Sequence, residues 1–212
     1  MSTLRGWPSF PPDLPDFDVD AAPGQPVDLF LSWLSDAGET GLAPHAMTLS
    51  TVDENGLPDA RVLILKDVDE TGWYFATSAE SPKGRQLARN GHAALTFFWP
   101  HRGRQVRIRG TARPLGEDAG ASDFLARPDA SKVETAVGHQ SEVLADPSDL
   151  TTAVEAAQRL IAEKPGFVPP SWMRYLLAAD LVEFWQARHD RKHVRLRFTR
   201  EGMRWRRDQL WP

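Results

Sequence analysis

The segment Arg188–Phe198 reads RHDRKHVRLRF. As a strand it alternates, with Arg191, His193, Arg195 and Arg197 on one face and Val194, Leu196 and Phe198 on the other. The second face reads as core. The first gathers three guanidiniums and an imidazole, which repel one another unless an anion or an acidic partner lies among them. RQVRIRG repeats the pattern, with Gln105, Arg107 and Arg109 sharing a face. A planar fork of donors suits phosphate. Trp185, in the preceding LVEFWQAR, supplies a ring that could cover a planar ligand. Together these residues suggest a flat, phosphorylated ligand, although any single Arg here also reads as part of a solvated strand face.

Other chemistries find less support. His189 and His193 have the i, i+4 spacing of a helical zinc pair, but in a strand they would stand ~13 Å apart. Arg191 and Lys192 sit between them, which disfavours a bound cation there. The chain has no Cys, which excludes disulfides, thiolate metal sites and a cysteine nucleophile. It has no GxxxxGK loop, no GxGxxG opening a helix and no GxSxG elbow. A nucleic-acid reading is weak, because the net charge is −4 and the aromatics do not interleave with the arginines.

Charge is nonetheless uneven. Up to Ala60, ten acids oppose the single Arg5, whereas Arg102–Arg113 holds five Arg and no acid. The 212 residues, 41% hydrophobic with eight Trp, fit one compact domain. No apolar run approaches the ~20 residues of a membrane span, and the Pro- and Asp-rich start lacks a signal-peptide core. The expectation is a cytoplasmic protein.

These residues need elements to position them. Residues 1–25 read as an extended arm, disordered unless a surface captures it, and residues 26–212 as a single domain. A helix is expected from Pro26, with Phe30, Trp33, Leu34 and Ala37 as its apolar stripe. AMTLSTV, ARVLILKDV and WYFATS read as strands separated by Asn55-Gly56 and Thr71-Gly72 turns. Ser81-Pro82 reads as the cap and first turn of a short helix running to about Asn90. HAALTFFW and RQVRIRGTARPL follow as strands, then helices over Glu117–Ala126 and Leu150–Glu163. Strands are expected again at Trp172–Leu177, Leu181–Ala187, His193–Thr199 and Met203–Arg207. Such a meander implies an antiparallel sheet or barrel.

Four segments then carry a resemblance. ARVLILKDVDETGWYFATSAESPKGRQLARN, RQVRIRG, HQSE and EFWQARHDRKHVRLRF resemble the pyridoxine/pyridoxamine 5′-phosphate oxidase family in order and spacing. The likeness runs from about Thr48 to the closing Arg-Asp-Gln-Leu-Trp-Pro. It implies a mainly β fold with flanking helices, an antiparallel split β-barrel that works as a homodimer with FMN at the subunit interface. The implied reaction converts pyridoxamine or pyridoxine 5′-phosphate to pyridoxal 5′-phosphate: hydride passes from the substrate's 4′ carbon to flavin N5, and dioxygen reoxidises the flavin to give hydrogen peroxide. A sister oxidase of the same fold acting on another ring, such as a phenazine precursor, is the alternative.

Carried over residue by residue, the resemblance assigns cofactor contacts to Arg61, Val62, Leu63, Ile64, Leu65, Lys66, Ala76, Thr77, Lys83, Gln105, Gln140, Ser141, Trp185 and Arg195. It assigns the substrate phosphate to Lys66, Arg127 and Ser131, and the ring-facing catalytic pair to Arg191 and His193. No metal is implied. The chain departs from the family's pattern at Asp123, where a substrate-phosphate Tyr is usual, and at Pro82, where a basic residue is usual. The stretches Glu134–Val137 and Ser171–Tyr175 also match only loosely. A carboxylate beside a phosphate repels it unless a cation intervenes.

Overall fold

The computed structural model describes residues 3–212. Nine strands form one antiparallel sheet: β1 (Ala46–Val52), β2 (Pro58–Ile64), β3 (Asp67–Asp69), β4 (Gly72–Ser78), β5 (His92–Trp99), β6 (Arg104–Pro114), β7 (Trp172–Gln186), β8 (Val194–Glu201) and β9 (Arg204–Leu210). They run β2-β1-β5-β6-β7-β4-β3, with β8 and β9 continuing from the far half of β7. This curled sheet is the mainly β, split-barrel architecture expected from the sequence. Five α-helices flank it among the described residues: α1 (Pro26–Thr40), α2 (Pro82–Arg89), α3 (Glu117–Leu125), α4 (Asp129–Val137) and α5 (Pro147–Glu163). No described helix is long and apolar enough to cross a membrane.

Alternation decides which side of the sheet is core. In β6, Val106, Ile108 and Ala112 are buried while Gln105, Arg107 and Arg109 point outward. In β8, Leu196 and Phe198 are buried while Arg195 and Arg197 take the opposite face. The apolar stripe of α1 closes the inner side. Phe30 meets Trp73 and Phe97 edge-on, with centroids 5.6 and 4.9 Å away, and Trp33 meets Phe184 at 5.2 Å. α2 begins as expected: the Ser81 hydroxyl accepts from Gly84 N at 3.2 Å, and Pro82 occupies the first turn.

Several expectations need correction or completion. ARVLILKDV is not one strand, because the chain changes partners at Leu65-Lys66. Leu65 N donates to His45 O at 2.9 Å and Lys66 N to Tyr74 O at 2.8 Å, so β2 ends and β3 begins across a barrel corner. Conversely, the two strands expected at Trp172–Leu177 and Leu181–Ala187 are one long β7. Its polar break at Asp180 mimics a turn, but the β6–β7 register shifts between Arg109 and Gly110 instead. Glycine is required there, since a Cβ on Gly110 would stand 2.0 Å from the Ala178 carbonyl oxygen.

α4 was not expected at all; it buries none of its residues, so its apolar pattern is faint. α5 starts earlier than expected, at Pro147, with the Asp146 carboxylate capping Ser148 N at 2.8 Å. Finally, the arm is captured by its own chain. Met1 and Ser2 lie outside the described residues; beyond them, Phe17 packs edge-on against Trp33 at 4.9 Å and Ala22 joins the core. Arg207 donates to the carbonyls of Ala22 and Val19 at 2.8 and 2.9 Å, pinning the arm to β9.

Candidate functional site

A cavity of about 630 Å³ opens where the β2–β3 corner, β4, α2, α3 and the α4 hairpin converge. It is lined by Val62, Leu63, Ile64, Lys66, Ala76, Thr77, Lys83, Arg127, Ser131 and Gln140 from the expected set. Asp123, Glu134, Thr135 and Trp172 also line it. The corner explains the first four residues: alternation along β2 leaves Val62 and Ile64 exposed, and the partner change delivers Lys66 to the rim.

Lys83 is the most informative of them. Its side chain is buried, with 6% of the residue exposed, and its ammonium donates to Gln140 Oε1 at 2.8 Å. No carboxylate lies within ion-pair range of it among the described residues. Burial pushes its pKa down and nearby Arg61 pushes it further, while the charge of Asp59 opposes them. A buried cation whose one hydrogen-bond partner is a neutral amide, sharing a cavity with the Thr77 hydroxyl at the first turn of α2, is a donor set for a phosphate. The residues present therefore fit the phosphorylated cofactor that the resemblance implies.

Arg61 itself does not line the cavity. It points to the α2 side of β2, where it pairs with Asp59 and donates to Thr51 Oγ1 at 2.6 Å and Leu49 O at 3.3 Å. Gln86 ties this knot, donating to Asp59 at 3.0 Å. Hydrogen bonding from Gln86 and the charge of Arg61 hold the Asp59 carboxyl below its ordinary range, against the effect of its burial. Leu65 puts its side chain in the core, and Ser141 lies outside the cavity in a left-handed backbone conformation at φ 72°.

The substrate end contains a feature of its own. Lys66 Nζ lies 3.7 Å from Asp123 Oδ1, and Trp172 Nε1 donates to Asp123 Oδ2 at 2.9 Å. Arg127 lies over the Trp172 ring at 4.3 Å and donates to Thr135 Oγ1. Burial lowers the Arg127 pKa, while the negative charges of Asp123 and Glu134 oppose that shift.

Gln105, Trp185 and Arg195 form a second group. Direct pairing sets Gln105 opposite Trp185 and Trp185 opposite Arg195, so the three make one row across the outer face of β6, β7 and β8. The His193 ring lies 4.8 Å from Trp185, and Phe10 of the arm 5.8 Å from it on centroids. None of these residues lines the cavity of the same chain. The expectation that Arg191 and His193 share a strand face fails. β8 starts at Val194, and Arg191 occupies the preceding turn at φ 65°. Asp190 initiates that turn by accepting from Lys192 N at 3.1 Å, and His193 Nδ1 accepts from Arg188 N at 3.1 Å. His189 instead turns toward Pro12 O, 2.9 Å away.

The repulsion expected among the arginines is answered by acidic side chains. Glu183, buried in β7, meets Arg107 at 2.7 Å and Arg195 at 2.8 Å, while Arg197 meets Asp208 at 3.1 Å. Burial alone would raise the Glu183 pKa, but hydrogen bonds and charge from Arg195 and Arg107 hold it below its ordinary value. Sequence reasoning missed Glu183, Gln86, Asp59 and Trp172. Glu183 was findable in principle, two positions before Trp185 on the same face.

Comparison with known proteins agrees with this geometry. Residues 37–160 match the family described as pyridoxamine 5′-phosphate oxidase, and residues 172–212 match its pyridoxine 5′-phosphate oxidase C-terminal dimerisation region. The latter match supports a homodimer. The chain is 40% identical over 194 residues to pyridoxine/pyridoxamine 5′-phosphate oxidases of Pseudomonas paraeruginosa and Ectopseudomonas mendocina, covering 90% of each chain. Among solved structures it is similar to PhzG from Burkholderia lata in complex with tetrahydrophenazine-1-carboxylic acid. There the identity is 31% and the TM-score 0.86, over 97% of this chain and 100% of that one. An FMN-binding, pyridoxamine 5′-phosphate oxidase-related protein from Nostoc punctiforme shares the fold at 18% identity and TM-score 0.73, over 88% of this chain and 97% of that one. With both of its segments matched and its β-barrel shared, this chain belongs to the pyridoxamine 5′-phosphate oxidase family.

Proposed function

We propose that the protein is a cytoplasmic, FMN-dependent oxidase that converts pyridoxamine or pyridoxine 5′-phosphate to pyridoxal 5′-phosphate, using dioxygen and releasing hydrogen peroxide. The observation that carries this reading is one cavity that brings Lys83 and Thr77 together with Lys66, Arg127 and Ser131. A phosphorylated cofactor with a phosphorylated substrate uses both groups of donors. Lys83 and Thr77 would hold the cofactor phosphate, with Gln140 orienting the ammonium. Val62, Ile64 and Ala76 offer an apolar wall to a flat ring. Lys66, Arg127 and Ser131 would hold the substrate phosphate. When bound, FMN supplies the two-electron chemistry; the chain's own work is to bind, orient and exclude water.

Gln105, Trp185, Arg195, Arg191 and His193 require a second copy in this reading. Exposed Val62 and Phe98 stand on the same outer face as Gln105 and Arg107, as the register β2-β1-β5-β6 shows. A homodimer formed through this face sets the Trp185 row of one protomer against the cavity of the other. Residues 26–212 then act as one cofactor-binding unit.

A second reading, a sister oxidase acting on a phenazine-type ring, is favoured by the likeness to PhzG and by Asp123 standing beside Lys66. The deciding experiment mixes flavin-loaded protein anaerobically with pyridoxamine phosphate, pyridoxine phosphate or a dihydrophenazine carboxylate. Bleaching by the vitamin B6 phosphates is expected. Bleaching by the phenazine ring alone replaces the first reading with the second, and bleaching by none removes both.

A further inference from the structure

The subsite that takes the substrate's anionic group holds a fixed negative charge of its own. Its two cations, Lys66 and Arg127, flank Asp123, whose side chain is only 9% exposed. Trp172 Nε1 holds one carboxylate oxygen at 2.9 Å, and Lys66 approaches the other at 3.7 Å.

The helix that carries this carboxylate is fixed against β7. One turn before Asp123, Gly120 presses on β7 so closely that a Cβ there would stand 2.5 Å from the Trp172 carbonyl oxygen. The next residue, Phe124, is fully buried and meets Trp172 edge-on at 6.2 Å. α3 is therefore clamped to the start of β7 on both sides of Asp123. The subsite thus has two cations against one buried anion. Glu134, the other carboxylate on the cavity, is exposed and its charge is screened by water.

We propose that Asp123 is the specificity-determining residue of this subsite, cancelling one of its two positive charges and so narrowing its preference for a dianion over a singly charged oxyanion. The proposal rests on the assignment of Lys66, Arg127 and Ser131 to the substrate's anion. Repulsion from a fixed charge scales with the charge of the ligand, so a dianion suffers twice the penalty of a monoanion in the same place. Asp123 thereby lets a ring carboxylate compete with a phosphate ester, and loosens the hold on a phosphorylated product.

The test measures binding to the flavin-loaded protein at about pH 8, where a phosphate monoester is a dianion because its second pKa is about 6. The probes are pyridoxal 5′-phosphate and 5-pyridoxic acid, a related pyridine whose ring carbon 5 carries a carboxylate in place of the phosphate-ester arm. Perturbation of the flavin spectrum reports both. Asp123→Asn keeps an acceptor for Trp172, and unchanged flavin content and melting temperature verify that it folds. It should tighten pyridoxal phosphate at least about tenfold and 5-pyridoxic acid only about threefold, as half the free energy requires. Glu134→Gln should change either by less than about twofold.

Equal factors for the two probes, or no tightening of the phosphate, overturn the proposal. So does an equal effect of Glu134→Gln, which would make the filter a property of the whole cavity. If neither probe perturbs the flavin, the subsite assignment falls and the proposal with it. If the factors hold but no vitamin B6 phosphate yields peroxide, the oxidase reading fails while the charge filter stands.

Discussion

Lys83→Ala should weaken FMN binding by roughly 1.5–3 kcal/mol, about ten- to a hundredfold, the range for removing one charge-assisted hydrogen bond. The burial of the lysine makes the outcome diagnostic. In the cofactor-free protein its ammonium is desolvated, donates to the Gln140 amide and is repelled by Arg61, with Asp59 offsetting part of that cost. Removing it therefore relieves the empty protein of an unfavourable charge while depriving the cofactor of its partner. Fluorescence titration of FMN into apoprotein should show the loss, while the apoprotein melts at or above the wild-type temperature. Unchanged FMN affinity would take Lys83 out of the site. A parallel fall in apoprotein stability would show that the residue serves the fold instead.

Glu183→Gln should cost about 2 kcal/mol of stability. Breaking a fully buried ion pair costs about 3–5 kcal/mol, and the value here is smaller because Arg107 and Arg195 keep 46% and 27% of their side-chain surface in contact with water. For a chain of 212 residues that is a fall in Tm of roughly 4–8 °C. The pH dependence follows from the lowered pKa of Glu183. The unfolded chain binds its proton first, near 4.5, so the stabilisation is fully present above that pH and is lost as the pH falls through the lower folded value. Melting curves of wild type and variant should differ at neutral pH and converge in acid. A constant gap across that range would place the effect elsewhere.

The sequence showed most where one period persists. α1, α2, β1, β5 and β6 lie where alternation or helical spacing placed them, because each buries one continuous face. It showed least where a strand changes partner. Nothing local distinguishes Leu65-Lys66 from the middle of a strand, since the break comes from hydrogen bonds to His45 and Tyr74. Likewise Asp180 looks like a turn only until β6 is seen running past it. Motif order supplied ten residues that line the cavity, yet the contacts that tune them were illegible. Gln86 reaches Asp59 across 27 residues, and Trp172 reaches Asp123 across 49. The arginine row was legible as a problem of charge, and only strand pairing supplied Glu183 as its answer.

One wall of the cavity is attached differently from the rest. α4 and α5 pack chiefly on each other, α4 buries none of its residues and α5 buries only Ala157. Ser131, Glu134 and Thr135 ride on α4, and Gln140 follows it in the connecting loop. This unit can melt while β5 and β6 stay paired, because little apolar surface is exposed when it opens. Anything bound against Gln140 and Ser131 must come free before the unit opens, so occupancy lowers the open population in proportion to ligand concentration over Kd. Amide hydrogens of α4 should therefore exchange fast in the empty protein and slow on flavin loading, while those of β5 and β6 exchange at the same rate in both.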